Sequence, residues 1–225
     1  MTQVALTTDR FDRVVPLYME AGLDAIGLPC VRVEPASDDV MDLAREAAVR
    51  AGVLILSSAR TVDWLWPQGP LPSVDVIAVG TATANTVRER GGRVVLTGNS
   101  GLAELAATAS TRLATSRVVF PRSADTDPAV LRLVRDLTPN LVEFEVYRVQ
   151  AVAPQNTEVQ AVAFASPSAV VGWHLSRNLT GLVVGVIGAT TAAAVSRHRQ
   201  PDVVASSPTH RALAQALASH MEVTV

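Results

Sequence analysis

The sequence predicts an α/β protein made of two similar domains, each with an open parallel sheet. Short apolar runs alternate with helix-like segments along the chain, the βαβα pattern of a sheet covered on both faces. Part of that pattern occurs twice. Ser58 and Ser166, Val62 and Val170, Gly80 and Gly188, Thr83 and Thr191, Val87 and Val195, and Leu105 and Leu213 all stand 108 residues apart. A constant offset marks duplication without net insertion, and a length of 225 residues accommodates two domains of about 100 residues each.

Taken in order, residues 4–7 form a short buried strand candidate, and residues 11–21 an amphipathic helix ended by Gly22. Residues 25–33 read as one strand. Residues 38–50 read as a helix with Ser37 or Asp38 as its N-cap. Gly52 opens a strand ending at Ser57, and residues 59–66 make a short helix stopped by Pro67-Gln68-Gly69-Pro70. A strand at 74–79, a helix at 81–90 closed by Gly91-Gly92, a strand at 93–96 and one helix at 101–113 complete the first half.

The pattern restarts with a strand at 117–120, a helix at 128–137 and a long strand at 141–149. Tyr147-Arg148-Val149 aligns on Val31-Arg32-Val33 at an offset of 116, and the helix at 38–50 has no second copy. A polar connection at 151–158 replaces it. Then come strands at 160–165, 182–187 and 203–204, and helices at 167–175, 189–197 and 208–220. Pro167 and Pro208 fall where a first helical residue needs no N–H.

Composition excludes several chemistries. Hydrophobic residues make up 48% and charged residues 18%, enough apolar material for real cores. A formal charge of −2 provides no overall field for nucleic acid or an anionic membrane. All 19 basic residues are Arg, so there is no lysine for a Schiff base or a phosphate loop. The single cysteine, Cys30, forms no intramolecular disulfide and reads as core packing. His174, His198, His210 and His220 have no ligand spacing, so no metal is expected. Neither a Gly-x-Ser-x-Gly elbow nor a dinucleotide fingerprint is present. The N-terminus lacks a secretory pattern, and no apolar run approaches the roughly 18 residues of a membrane span, so a cytoplasmic protein is expected.

What remains is a set of hydroxyls at helix starts in both halves: Ser58, Thr81, Thr83, Ser166, Ser168, Thr190 and Thr191. Each could simply be an N-cap, worth about 1 kcal/mol to its helix. Helix starts also present free N–H groups to anions, and in open α/β sheets they line the carboxyl edge where ligands sit. Facing copies would suit a ligand with several carboxylates. Arg10, Arg60, Arg122 and Arg148, at strand ends or helix starts, could supplement them or could be solvated surface charges.

The ordered motifs Leu28-Pro29, Leu56-Ser57-Ser58-Ala59-Arg60-Thr61-Val62, Val79-Gly80-Thr81-Ala82-Thr83-Ala84, Phe120-Pro121-Arg122, Val146-Tyr147, Phe164-Ala165-Ser166-Pro167-Ser168-Ala169-Val170, Ile187-Gly188-Ala189-Thr190-Thr191-Ala192 and Ser207-Pro208-Thr209 resemble the uroporphyrinogen-III synthase family. The resemblance implies two flavodoxin-like domains joined by a two-strand hinge. An inserted domain at 35–146 would interrupt a composite domain at 1–33 and 151–225, with hinge strands at 31–35 and 147–151 and rigid-body motion about the cleft. It also implies a monomeric, cofactor-free lyase of tetrapyrrole and heme biosynthesis. The substrate would be hydroxymethylbilane, a linear tetrapyrrole rich in carboxylates, closed with inversion of ring D through a spiro intermediate.

No strong nucleophile is then needed, and catalysis would rest on positioning and hydrogen bonding. Substrate contacts would come from Arg10, Ser58, Ala59, Arg60, Gly80, Thr81, Thr83, Arg122, Ser166, Pro167, Ser168, Gly188, Thr190 and Thr191. Tyr147 would donate to the departing oxygen, although from sequence alone it could be an amphipathic edge residue with a wet hydroxyl. Arg60, Asn140 and Ala165 depart from the family pattern. They motivate an alternative: a non-catalytic module that binds a tetrapyrrole or another polycarboxylate.

Overall fold

The structure, a computed structural model, describes residues 3–98 and 101–223. The outermost residues of the expected composite domain, 1, 2, 224 and 225, lie outside these. The chain starts with β1 (Gln3–Leu6), α1 (Phe11–Glu20), β2 (Asp24–Gly27) and β3 (Val31–Pro35). There follow α2 (Asp38–Val49), β4 (Val53–Leu56), α3 (Ala59–Leu65), β5 (Asp75–Val79), α4 (Thr81–Glu89) and β6 (Arg93–Gly98). Next are α5 (Leu102–Thr108), α6 (Ser110–Thr115), β7 (Val118–Ser123), α7 (Pro128–Leu137) and β8 (Leu141–Ala151). The chain closes with β9 (Ala161–Phe164), α8 (Pro167–His174), β10 (Val183–Val186), α9 (Ala189–Val195), β11 (Val203–Val204) and α10 (His210–Val223). Two units result, Met1–Val33 with Val149–Val225, and Glu34–Arg148.

In the first unit all strand pairs are parallel, in the order β2-β1-β9-β10-β11. That is the flavodoxin-like arrangement, in which the order reverses beside the first strand. Successive residues alternate between faces, as strand geometry requires. Val4, Leu6, Ala161 and Ala163 pack with Tyr18 of α1 and with Leu213 and Leu217 of α10. Ala5, Val162 and Phe164 pack with Val170 and Trp173 of α8 and Val195 of α9.

The second unit has the order β3-β8-β7-β4-β5-β6, with parallel pairing from β8 to β6. If β7 is given the place of β1, β8 that of β2, and β4, β5 and β6 those of β9, β10 and β11, the two orders coincide. The second unit is thus the first fold entered at its third strand, with β3 added beyond β8. Leu54, Leu56 and Val76 pack against α2, α3 and α4 through Ala44, Val62 and Val87, and Val53, Ile55 and Ile77 pack against α5, α6 and α7 through Leu105, Leu113 and Leu131. Burying each such Leu or Val side chain contributes about 1.5–3 kcal/mol.

Three expected elements differ. The strand at 25–33 is two strands serving different sheets, separated at Leu28-Pro29-Cys30. There the N–H groups of Leu28 and Cys30 bond the carbonyls of Leu6 and Thr7 at 3.0 and 2.9 Å, while Pro29 has no N–H to continue a ladder. The helix at 101–113 breaks at Ala109, whose ψ of 3° leaves helical geometry. Pro208 is not a first helical residue: the last helix begins at His210, with Thr209 Oγ1 accepting from the Ala212 N–H at 3.2 Å.

Candidate functional site

In a flavodoxin-like sheet the ligand crevice opens where the strand order reverses, outside the carboxyl ends of the strands. In the second unit that point lies between β4 and β7. β4 runs out into Ser57 and Ser58, and β7 ends at Ser123. Ser58 has an extended backbone, φ −151° and ψ 136°, and its Oγ accepts from the Arg60 N–H at 3.2 Å, the N-cap of α3. Ala59 is the first residue of α3.

Tyr147 joins this point from β8. Ser123, at the end of β7, stands opposite Tyr147 in the register of the two strands. The Tyr147 ring meets Trp64 edge-on, with centroids 5.5 Å apart and planes at 64°, and the Arg60 guanidinium lies 5.6 Å from the Trp64 centroid. Burial pushes the phenol above its ordinary pKa of 10.0; the Ser58 and Ser123 side chains and the positive Arg60 pull it down, and Asp125 pushes it up. The net shift is upward, so the hydroxyl keeps its proton at neutral pH. Tyr147 also lines a cavity of about 250 Å³ with Glu34, Pro35, Ala36, Ala124, Glu145 and Arg148.

Nearby, Gly80 caps α4 at φ +81°, in the left-handed region that favours glycine. Thr81 at that helix start is exposed. Two residues expected to contact substrate are buried here. Thr83 is 4% exposed and belongs to the packed side of α4, so it presents no donor to solvent. Arg122 is 6% exposed, and its Nε, Nη1 and Nη2 donate to Glu143 at 2.8 Å, to the Ser123 carbonyl at 2.9 Å and to Glu145 at 3.1 Å. It braces β7 against β8, with all three guanidinium nitrogens engaged within the protein.

In the first unit the reversal lies between β1 and β9. Arg10 is the residue before α1 and is half-buried. Ser166 caps α8, its Oγ accepting from the Ala169 N–H at 3.2 Å; Pro167 opens the helix, and Ser168 follows, half-buried. Gly188 precedes α9 in a fully extended conformation, and Thr190 is exposed. Thr191, only 3% exposed, is buried like Thr83. The caps at Ser58 and Ser166 are therefore real, yet α3 and α9 have seven residues each, about two turns, and a short helix carries little of the dipole.

Ser123 was missed from sequence. It lies just past the Phe120-Pro121-Arg122 motif, and a lone serine at a strand end carries no signal of its own. Trp64 was passed over as part of a short helix, although its spacing of four from Arg60 and six from Ser58 puts all three on the first turns of α3.

Fold and site together define a two-unit α/β protein that offers neutral hydroxyl and N–H donors at its sheet reversals. The family model for uroporphyrinogen-III synthase HemD matches residues 12–215, and the chain belongs to the uroporphyrinogen-III synthase family, whose enzymes serve heme biosynthesis. It is similar in fold to uroporphyrinogen-III synthetase from Helicobacter pylori, at 13% identity and a TM-score of 0.69 over 100% of this chain and 99% of that one. It is also similar to a mutant uroporphyrinogen III synthase from Thermus thermophilus, at 14% identity and a TM-score of 0.64 over 99% and 100%. The wild-type Thermus enzyme aligns at 17% identity with a TM-score of 0.54 over 100% and 99%. No curated protein sequence matches the chain. Among the described residues no helix is long and apolar enough to cross a membrane.

Proposed function

We propose that this chain catalyses the cofactor-free closure of hydroxymethylbilane to uroporphyrinogen III with inversion of ring D, as a cytoplasmic, monomeric lyase. Tyr147 is the hydrogen-bond donor to the departing hydroxyl oxygen. The helix starts at Ser58, Thr81, Ser166, Ser168 and Thr190, with Arg10 and Arg60, hold the carboxylates of the substrate. The observation that carries the proposal is Tyr147, a phenol that burial keeps protonated and that stands opposite Ser123 at the end of β7, in a chain whose family match spans residues 12–215.

The chemistry asks little else of the protein. Loss of water from the bilane gives an azafulvene without an enzymic nucleophile, so the protein contributes a donor where charge develops and a fixed substrate conformation. A neutral phenol suits that role because it needs no deprotonation to act. Purified protein given hydroxymethylbilane, with chelator present and no nucleotide, should consume it faster than the blank. Tight binding of the bilane at the blank rate would instead favour the alternative of a non-catalytic binding module.

A further inference from the structure

Tyr147 reaches α3 through an irregularity of the sheet. β7 and β8 keep register from Val118 opposite Leu141 to Arg122 opposite Glu145, and the next pair is Ser123 with Tyr147, so Val146 is an extra residue on β8. Side chains alternate between the two faces of a strand, which would put Val146 and Tyr147 on opposite sides of the sheet. A bulge cancels one alternation and re-aims the residue that follows it. Val142, Phe144, Val146 and Tyr147 accordingly all pack with the cluster that holds Val62 of α3, whereas Glu143 and Glu145 pair with Arg122, and Glu143 also with Arg135 of α7. Without the extra residue the Tyr147 ring would turn toward α7.

On the α3 side the ring meets Trp64. The two centroids are 5.5 Å apart with planes at 64°, the edge-to-face geometry in which aromatic rings attract. Trp64 is half-buried and stands one turn after Arg60, whose guanidinium lies 5.6 Å from the indole centroid, within cation–π reach. The helix that carries the indole is itself fixed, since Thr61, Val62 and Leu65 are buried and Ser58 caps its start. One indole therefore adjoins both the residue proposed as donor and a residue proposed to hold a substrate carboxylate.

We propose that Trp64 is a positioning residue for Tyr147: the bulge in β8 delivers the ring to α3, and the indole fixes its direction there. A tyrosine has only two side-chain torsions, so a ring held along its edge leaves the hydroxyl little freedom to stray. The positioning role rests on reading Tyr147 as the donor to the departing oxygen; the ring contact does not.

The test is a double-mutant cycle on the purified full chain, read as kcat for uroporphyrinogen III formation from hydroxymethylbilane above the protein-free blank. Trp64→Leu should lower kcat roughly two- to tenfold, the worth of one aromatic pair, and Trp64→Phe, which keeps an aromatic edge, should recover most of the loss. In the Tyr147→Phe background, Trp64→Leu should change kcat by less than about twofold, because no hydroxyl is left to direct. If Trp64→Leu does not fold, Trp64→Met takes its place, filling the space with a flexible chain that has no ring. An equal loss in both backgrounds would show that the indole only supports the fold, and would overturn the proposal. So would a wild-type kcat in folded Trp64→Leu beside a slow Tyr147→Phe, which would leave the donor reading standing. A wild-type kcat in Tyr147→Phe alone would remove the donor reading and the positioning role with it.

Discussion

Tyr147 and Arg122 both look like site residues in the sequence, and their surroundings assign them different work. Tyr147 has a hydroxyl raised in pKa by burial, so it keeps its proton near neutral pH. Tyr147→Phe should fold normally and bind the bilane. Its turnover should fall about ten-fold to a thousand-fold, the range expected when one transition-state donor is removed, and a wild-type rate in a kinetic assay would refute the donor role. Arg122 is structural. Burial pushes Glu143 upward, but hydrogen bonds from Arg135 and Arg122 and their charges outweigh this, and the carboxyl titrates below its ordinary 4.5. A depressed carboxylate pKa stabilises the fold above the unfolded value, and that stability is lost as pH falls through the folded one. Arg122→Leu should therefore cost about 2 kcal/mol at neutral pH and flatten the loss of stability on acidification, as denaturant titrations at several pH values would measure. A wild-type acid profile in that variant would contradict the assignment. The sequence placed both residues near a strand end but could not show which one is buried in ion pairs, because burial at the end of β7 depends on β8, some twenty residues away.

At the scale of elements, the duplication was legible because strands and helix starts obey local rules. β4 and β9 begin at Val53 and Ala161, α3 and α8 at Ala59 and Pro167, β5 and β10 at Asp75 and Val183, and α4 and α9 at Thr81 and Ala189, each pair 108 residues apart. The caps at Ser58 and Ser166 were readable for the same reason. Features set by tertiary register were not. The division of residues 25–33 between two sheets hides within one apolar run, and the bulge that brings Ser123 to Tyr147 has no sequence mark. The two copies also diverge where close packing demands it. Trp64 of α3 corresponds to Gly172 of α8, and a Cβ on Gly172 would lie 2.0 Å from the Cys30 carbonyl oxygen and 2.7 Å from that of Val152. Both obstacles are backbone, so Gly172→Ala should destabilise the first unit by about 3 kcal/mol or more, seen as a lower thermal midpoint. A midpoint within a degree of wild type would show that the backbone there gives way easily.

For the whole molecule, the two copies differ at the proposed site. Both units keep capped helix starts at their sheet reversals, whereas the tyrosine proposed as donor belongs to the second unit alone, since Val31 stands in the first at the place of Tyr147 by the offset of 116. In the proposed reaction, anchoring is shared between the copies and the donor comes from one. Spontaneous closure of the bilane proceeds without inversion, so product identity reports enzymic control more directly than the rate of consumption. The deciding measurement is isomer analysis of the oxidised porphyrin products after incubation of the purified chain with freshly made hydroxymethylbilane. A synthase gives predominantly isomer III, with isomer I rising in Tyr147→Phe as uncatalysed closure competes. Isomer I alone, formed at the rate of the protein-free blank, would contradict the assignment of this chain as the enzyme of ring closure.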